Sequence, residues 1–176
     1  MAKGVDMGEQ DAIFQRVSMR KYTDEPVSDA DLERLLRAGM AAPSATNQQP
    51  WEFVVVKNKD VLTRLSESTP YTSFTKNAAL AIVPCIRKSA LRAVEMVDQD
   101  MGACVENILL EATQLGLGTC WQGVYPVDDR VETVRAIIDA PEGIDPFCII
   151  SVGHPAELPE PTGPGRFDPS RVRFIG

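Results

Sequence analysis

The longest stretch of helical periodicity in the sequence restricts the fold more than any other feature. Between residues 98 and 115, apolar side chains recur on one face of a helix: Met101, Cys104, Val105, Ile108, Leu109, Ala112 and Leu115. A helix of this kind is stable mainly because its apolar face packs against other elements. Gly116 follows, and glycine is common just beyond a helix C-terminus. We therefore predict a central helix that ends at Gly116.

Shorter patterns predict the other elements of what we expect to be one domain, since the chain has 176 residues. Helical spacing predicts amphipathic helices at residues 10–17, 28–42, 60–68 and 128–139, the second with Ser28 as N-cap. Apolar, β-branched runs predict strands at 52–57, 78–86 and 147–153. Because Pro84 has no backbone N–H, the second strand is expected to lie at a sheet edge or to end there.

The C-terminal residues are predicted to form an arm. Five prolines lie between residues 155 and 169: Pro155, Pro159, Pro161, Pro164 and Pro169. Proline interrupts helices and removes donors from sheets. Residues 171–175 then alternate as a strand does. We expect residues 1–176 to form a single domain, with residues 155–176 as an arm that reaches a partner subunit.

Composition excludes several classes of protein. The net charge of −7 argues against nucleic-acid binding. The N-terminus lacks the apolar core of a signal peptide, and no apolar run approaches the length of a membrane span, so a cytoplasmic protein is expected. The isolated Cys85, Cys104, Cys120 and Cys148 favour reduced core cysteines over zinc ligands or disulfides. One histidine, His154, cannot by itself form a metal site or a catalytic triad.

A group of cations follows the first predicted helix, in a chain that is otherwise acidic. Arg16, Arg20 and Lys21 surround Ser18 within six positions. Guanidinium groups match phosphate oxygens bidentately, and a hydroxyl adds a neutral donor. The group indicates an anion site or, alternatively, a solvated basic face.

Residues 43–50 form a loop bracketed by two prolines. Pro43 ends the preceding helix, and Pro50 favours an extended residue before it. The loop contains the hydrogen-bonding side chains Ser44, Thr46, Asn47, Gln48 and Gln49, and Trp51 follows it. Such a surface suits the edge of a flat, polar heterocycle. The alternative is a capped turn whose amides bind their own backbone.

Residues 116–123 leave the central helix through Gly116 and Gly118 and enter a strand that Gly123 closes. Backbone without Cβ atoms can approach a flat ligand closely. A helix cap followed by a strand explains Gly116 and part of the need for Gly118, but not residues 121–123.

In their order and spacing, these three segments resemble the nitroreductase family of flavoproteins. The likeness runs from Ile13 to about Arg173 and includes residues 152–157. It implies an α+β, three-layer fold with a mixed central sheet flanked by helices. It also implies an intertwined homodimer that holds two FMN molecules at the subunit interface.

The resemblance further implies which residues contact FMN. The phosphate and ribityl chain would be held by Arg16, the backbone of Val17, Ser18, Arg20 and the late Arg166. The other subunit would contribute Pro43, Ser44, Ala45, Asn47 and Gln49, while Gln122 and Gly123 would lie along the isoalloxazine. Two features depart from the family. Val17 stands where many members have a second basic residue, so one phosphate or ribityl contact is expected to be missing. The connection at 86–98 is short, so the pocket is expected to be open or shaped by the partner.

The function implied by the resemblance is FMN-dependent oxidoreduction. NAD(P)H would supply electrons, and a small nitroaromatic- or quinone-like acceptor would receive them in a ping-pong mechanism. Because the flavin carries the chemistry, no catalytic side chain and no metal are expected. Alternatives stay open: a relative that acts on the flavin itself, a flavin-binding storage or sensing module, or a dimer without a cofactor.

Overall fold

A five-stranded sheet lies at the centre of the computed structural model, which describes residues 11–158, 160–161 and 164–176. The strands are β1 (Trp51–Val56), β2 (Leu80–Arg87), β3 (Gly118–Gly123), β4 (Ile144–Pro146) and β5 (Cys148–Gly153). Their order is β1-β2-β5-β3, and β4 pairs with β2. These strands all pair antiparallel, whereas a mixed sheet was expected. Within the described ranges, the parallel component is the isolated bridge between Ser18 and Thr119.

Helices cover both faces of this sheet. They are α1 (Ala12–Gln15), α2 (Asp29–Met40), α3 (Lys59–Ser66), α4 (Val97–Gln114) and α5 (Asp128–Ile138). Successive residues of β2 point to opposite faces: Leu80 and Ile82 join the buried cluster with α2 and α4, and Ala81 and Val83 join the cluster with α3 and α5. The result is a helix–sheet–helix arrangement, which confirms the predicted α+β class. No helix in the described part of the chain has both the length and the apolarity to traverse a bilayer.

The central helix is confirmed as α4. Met101, Cys104 and Ile108 on its inner face are fully buried. Gly116 adopts a left-handed φ of 71°, and the N–H of Leu117 donates to the carbonyl of Ala112 at 2.8 Å, which closes the helix. A Cβ on Gly39 would lie 2.9 Å from Ile108, so glycine allows α2 to approach α4 closely.

Pro84 lies inside β2, in the middle of the sheet, so the predicted edge or strand end is wrong. The reason is a change of neighbour, because β2 pairs with β5 up to Ile82 and with β4 from Cys85. Phe147, between those two partners, donates its N–H to the Pro84 carbonyl at 2.9 Å. Its own carbonyl instead accepts from Tyr125 at 3.0 Å. The donor that proline lacks is therefore not required at this point.

The strand predicted at residues 171–175 does not form within the chain. A short 3₁₀ helix, Pro169–Arg171, is followed by irregular backbone. Phe174 and Ile175 are 91% and 89% exposed. Alternating residues favour a strand only when a neighbouring strand accepts its hydrogen bonds, and none of the described strands pairs with this segment.

Candidate cofactor-binding site

The cationic segment lies as an extended strip along the edge of the sheet. The first helix covers only Ala12–Gln15, shorter than the predicted 10–17, whose first residue lies outside the described ranges. After Arg16 the chain leaves the helix and forms isolated bridges at Ser18, to Thr119, and at Tyr22, to Pro155. The N–H of Met19 donates to the carbonyl of Thr119 at 2.7 Å, and Thr23 donates to that of His154 at 2.9 Å. These bonds attach the strip to β3 and to the chain leaving β5.

Extended backbone places alternate side chains on the same side of the strip. Arg16, Ser18 and Arg20 are the alternate residues of this strip, and all three influence one thiol, that of Cys120. Burial raises the pKa of Cys120, whereas the charge of Arg20, a hydrogen bond from Ser18 and the charge of Arg16 lower it. The structure therefore brings these three predicted site residues together.

Both guanidinium groups are held by neighbouring side chains or backbone. Nε of Arg16 lies 3.3 Å from Oε1 of Glu106 on α4. Nη1 of Arg20 donates to the Ser18 carbonyl at 3.4 Å, and its Cζ lies 5.7 Å from the centre of the Phe74 ring. A guanidinium has five N–H donors, so these contacts leave donors on each group for an anion.

Val17 and Met19 face the other side of the strip. They line a cavity of about 640 Å³ together with the end of α4 and with Leu158 and Pro161 of the arm. Arg16, Ser18 and Arg20 are not among its lining residues. The cavity of a single chain therefore lies behind the cationic groups and not in front of them.

The loop at residues 43–50 has a strained backbone. Thr46, Asn47 and Gln49 have positive φ values of 52°, 55° and 46°. Left-handed backbone costs non-glycine residues of order 1–3 kcal/mol each, and such strain persists where surrounding contacts fix the loop.

Gln48 and Asp100 supply those contacts from below the loop. Both side chains are 5% exposed. Asp100 accepts the Gln48 amide at 2.6 Å through Oδ2 and the N–H of Ala45 at 2.9 Å through Oδ1. Oε1 of Gln48 accepts the N–H groups of Arg92 at 2.8 Å and Ala93 at 2.9 Å. Asp100 gives no sign of this role in the sequence, because an acid in the first turn of a helix is favoured by the helix dipole even when it is exposed.

With Gln48 turned inward, the loop presents other amides to the surface. Asn47 and Gln49 are exposed, and Ser44 and Ala45 are half-buried. Nε2 of Gln49 donates to Oδ1 of Asn47 at 3.1 Å, and the N–H of Gln49 donates to the Ser44 hydroxyl at 3.0 Å. Some of the polar groups therefore bind the loop itself, as in the predicted capped turn, and two amides face outward beside the exposed Pro43. Binding of a heterocycle to these amides stays a prediction.

The glycines of residues 116–123 have different roles. Gly116 caps the helix, and a Cβ on Gly118 would lie 2.6 Å from Met19, so Gly118 is required for packing. At Gly123, which is exposed, a Cβ would meet nothing within 4 Å. The backbone here is open to a flat ligand, while the Gln122 side chain is only 4% exposed and points inward.

Arg166 is exposed at the end of the short helix Pro164–Arg166 in the arm, and its part in anion binding stays a prediction. Taken together, the cationic strip and the amide-bearing loop provide donors suited to a phosphate and to a polar heterocycle. The described ranges contain no group of three His, Cys, Asp or Glu side chains placed to hold a metal ion.

The sequence matches the Nitroreductase family over residues 13–69 and 67–154. A protein of Methanothermobacter thermautotrophicus, provisionally named NADH dehydrogenase/NAD(P)H nitroreductase, is 41% identical over 93% of this chain and 85% of its own length. The crystal structure of a provisionally named NADH oxidase from Clostridium acetobutylicum is 42% identical, with a TM-score of 0.89 over 94% of this chain and 99% of that one. An FMN-dependent nitroreductase from Clostridium difficile R20291 is 30% identical, with a TM-score of 0.86 over 95% and 99% of the two chains.

Proposed function

This chain belongs to the nitroreductase family, and from that premise we propose that it passes electrons from NAD(P)H through FMN to a small organic acceptor of nitroaromatic or quinone type. The enzyme is an FMN-dependent NAD(P)H oxidoreductase. The observation that carries the proposal is that Arg16, Ser18 and Arg20 alternate along the strip attached to β3 at Thr119, with Arg20 donating to the Ser18 carbonyl at 3.4 Å.

These three side chains fit the phosphate of FMN. Each guanidinium can form two parallel hydrogen bonds to phosphate oxygens, and charge-assisted bonds are about twice as strong as neutral ones. The net charge of the chain is −7, so a cationic strip is needed to overcome repulsion of a phosphate. Arg166 and the backbone of Val17 would complete this end of the site.

The rest of the site would come from a second subunit. The cavity at the cationic strip lies behind Val17 and Met19, so the space in front of Arg16 and Arg20 needs another surface to close it. In the homodimer that we propose, the partner's loop of residues 43–50 closes it, with Asn47 and Gln49 facing the cofactor. The arm of residues 155–176 would bury its exposed Phe174 and Ile175 on the partner.

The side chains of this loop would bind and orient the cofactor. Asn47 would donate to the pyrimidine edge of the ring, where negative charge accumulates on reduction, as donors do in an oxyanion hole. The exposed backbone at Gly123 would allow close approach of the ring. FMN itself supplies the redox chemistry, by accepting a hydride equivalent and returning electrons to a second substrate.

A ping-pong order follows if both substrates use one exposed face of the ring. NAD(P)H would then have to leave before the acceptor enters. In this proposal no side chain of the site needs to act as nucleophile or general base.

Steady-state oxidation of NADH and NADPH by the purified protein tests the function. We expect turnover with nitroaromatic or quinone acceptors and parallel double-reciprocal plots. A flavin-binding storage or sensing module would retain FMN but oxidise neither nicotinamide with any acceptor, and turnover that requires free flavin as the acceptor would instead identify a flavin reductase.

A further inference from the structure

The buried side chains of Thr75, Gln122 and Ser151 form a closed ring of hydrogen bonds next to Gly123. Thr75 and Ser151 are fully buried and Gln122 is 4% exposed. The Thr75 hydroxyl donates to Oε1 of Gln122 at 2.7 Å, and Nε2 of Gln122 donates to the Ser151 hydroxyl. The two hydroxyl oxygens lie 3.2 Å apart.

The direction of the third bond follows from the first two. A hydroxyl has a single proton, and that of Thr75 is used on Gln122. Ser151 must therefore donate to Thr75, so the three bonds run in one direction around the ring. Bonds in such a ring polarise one another, and each buried polar atom finds a partner. Gln122 makes a further contact, from Nε2 to the Cys120 carbonyl at 3.3 Å.

The loop that contains Thr75 also contacts other parts of the site. Phe74 lies beneath the Arg20 guanidinium, with 5.7 Å between Cζ and the ring centre. The centre of the Tyr71 ring lies 5.5 Å from Cζ of Arg130, and Nη1 of Arg130 donates to the carbonyl of Gly123 at 3.2 Å. Phe74 thus contacts Arg20 at the phosphate end of the proposed site. At the ring end, Thr75 contacts Gln122 directly, and Tyr71 contacts Gly123 through Arg130.

We propose that Thr75 is a positioning residue for the flavin ring, acting through Gln122. This inference rests on the proposed function. On its outer edge, β3 is paired with the cationic strip only near Thr119, so its far end lacks a second neighbouring strand within the described residues. The ring of bonds holds the inward Gln122 side chain in one orientation and thereby fixes the outward backbone at Gly123. Without Thr75, that backbone would shift relative to the cofactor.

The test compares Thr75→Val with a matched control in the same loop. Thr72 is 1% exposed and its hydroxyl bonds to the carbonyls of Ser66 and Thr69, not to Gln122. Thr72→Val therefore removes an equally buried hydroxyl away from the ring. The measurements are FMN affinity from fluorescence quenching, the visible spectrum and midpoint potential of the bound flavin, and the urea midpoint of the apoprotein.

For Thr75→Val we expect roughly threefold to thirtyfold weaker FMN binding, since a buried amide oxygen loses its donor. The flavin spectrum and midpoint potential should also shift, and Thr75→Ser should restore the wild-type values. Thr72→Val should lower the urea midpoint with both flavin properties unchanged. If Thr75→Val does not fold, Ser151→Ala provides the same test, because it opens the same ring.

The inference is overturned if Thr75→Val, or Ser151→Ala in its place, matches Thr72→Val in FMN affinity, spectrum and potential. In that case wild-type FMN binding and turnover would be unaffected, and the proposed function would stand. A wild-type protein that fails to bind FMN would overturn both.

Discussion

The Asp100 carboxylate accepts the side-chain amide of Gln48 at 2.6 Å, at a depth where both residues are 5% exposed. The same carboxylate holds the N–H of Ala45. One charge in the first turn of α4 therefore fixes a loop with three left-handed, non-glycine residues, and fixes the surface that the loop presents.

Replacing Asp100 by alanine should destabilise the protein and weaken FMN binding. The substitution removes the acceptor of the Ala45 N–H and one of the two acceptors of the Gln48 amide, which keeps its bond to the Ala93 carbonyl at 3.1 Å. This loss costs about 2–3 kcal/mol, and it frees the strained loop to relax. Urea denaturation of the apoprotein and FMN titration measure the two effects.

Asp98→Ala is the matched control for that variant. Asp98 lies in the same first turn but is exposed, so it shares only the interaction with the helix dipole, worth about 0.3–1 kcal/mol. FMN affinity should be unchanged in this variant. Equal losses of FMN affinity in the two variants would show that the contact of Asp100 with the loop does not determine FMN binding.

Arg20→Ala should weaken FMN binding by on the order of 2–4 kcal/mol, the range for removing one member of a desolvated charge pair. Lys21→Ala removes a neighbouring positive charge that is paired with Glu157 at 2.8 Å and exposed, and it should have little effect. Dissociation constants of FMN, measured by fluorescence quenching, compare the two variants with wild type. Unchanged flavin retention in Arg20→Ala on dilution would refute the phosphate assignment.

Alkaline pH should destabilise the fold through its buried thiols. Burial raises the pKa of Cys85 and Cys104 from 9.0 to about 12. The thiols ionise at lower pH in the unfolded chain than in the folded one. Their contribution to the free energy of unfolding is therefore complete below pH 9 and is lost progressively between pH 9 and about pH 12. Each thiol contributes a slope of about 1.4 kcal/mol per pH unit within that window.

Urea denaturation across this window, for wild type and Cys104→Ala, measures that slope. The variant should show a shallower loss of stability at high pH. Val105→Ala, which shortens a buried side chain of the same helix without a titratable group, should lower stability equally at all pH values. Identical slopes in wild type and Cys104→Ala would show that this thiol does not titrate as expected.

The double variant Phe174→Ser, Ile175→Ser should weaken the proposed dimer. Both side chains are almost fully exposed in one chain, and burial of such a side chain on a partner is worth about 1.5–3 kcal/mol. Light scattering over a range of protein concentrations measures the dissociation. Arg173→Ser, which changes the residue directly before Phe174 without removing an apolar side chain, serves as control. A wild-type protein that is monomeric and loaded with flavin would exclude the dimer.

The sequence predicted those parts of the structure that depend on neighbouring residues. The period of α4 and its Gly116 cap are local patterns, and so is the N-cap at Ser28, whose hydroxyl accepts the N–H of Asp31 at 3.0 Å. The cationic strip was also found, although its helix was predicted too long. Alternation of Arg16, Ser18 and Arg20 requires that the helix ends before them, as it does at Gln15, and that Ser18 bridges to Thr119.

Residues whose role depends on distant partners were missed. Asp100 meets Ala45 across 55 positions, and Thr75 meets Gln122 across 47. Threonine in a loop and aspartate in a first helical turn are common in solvent-exposed positions, so composition gives no sign of their burial. Pro84 was misplaced for the same reason, since its tolerance depends on how Phe147 is paired.

A subunit-complementation experiment tests the shared cofactor site most directly. Arg20→Ala and Asn47→Ala chains are coexpressed with different tags, and the heterodimer is isolated by both. If Arg20 of one subunit and Asn47 of the other hold the same FMN, the heterodimer has one intact site and one doubly altered site. It should then bind FMN at one site with wild-type affinity, while both variant homodimers bind weakly. A heterodimer that binds FMN no better than those homodimers would contradict a site assembled from two subunits.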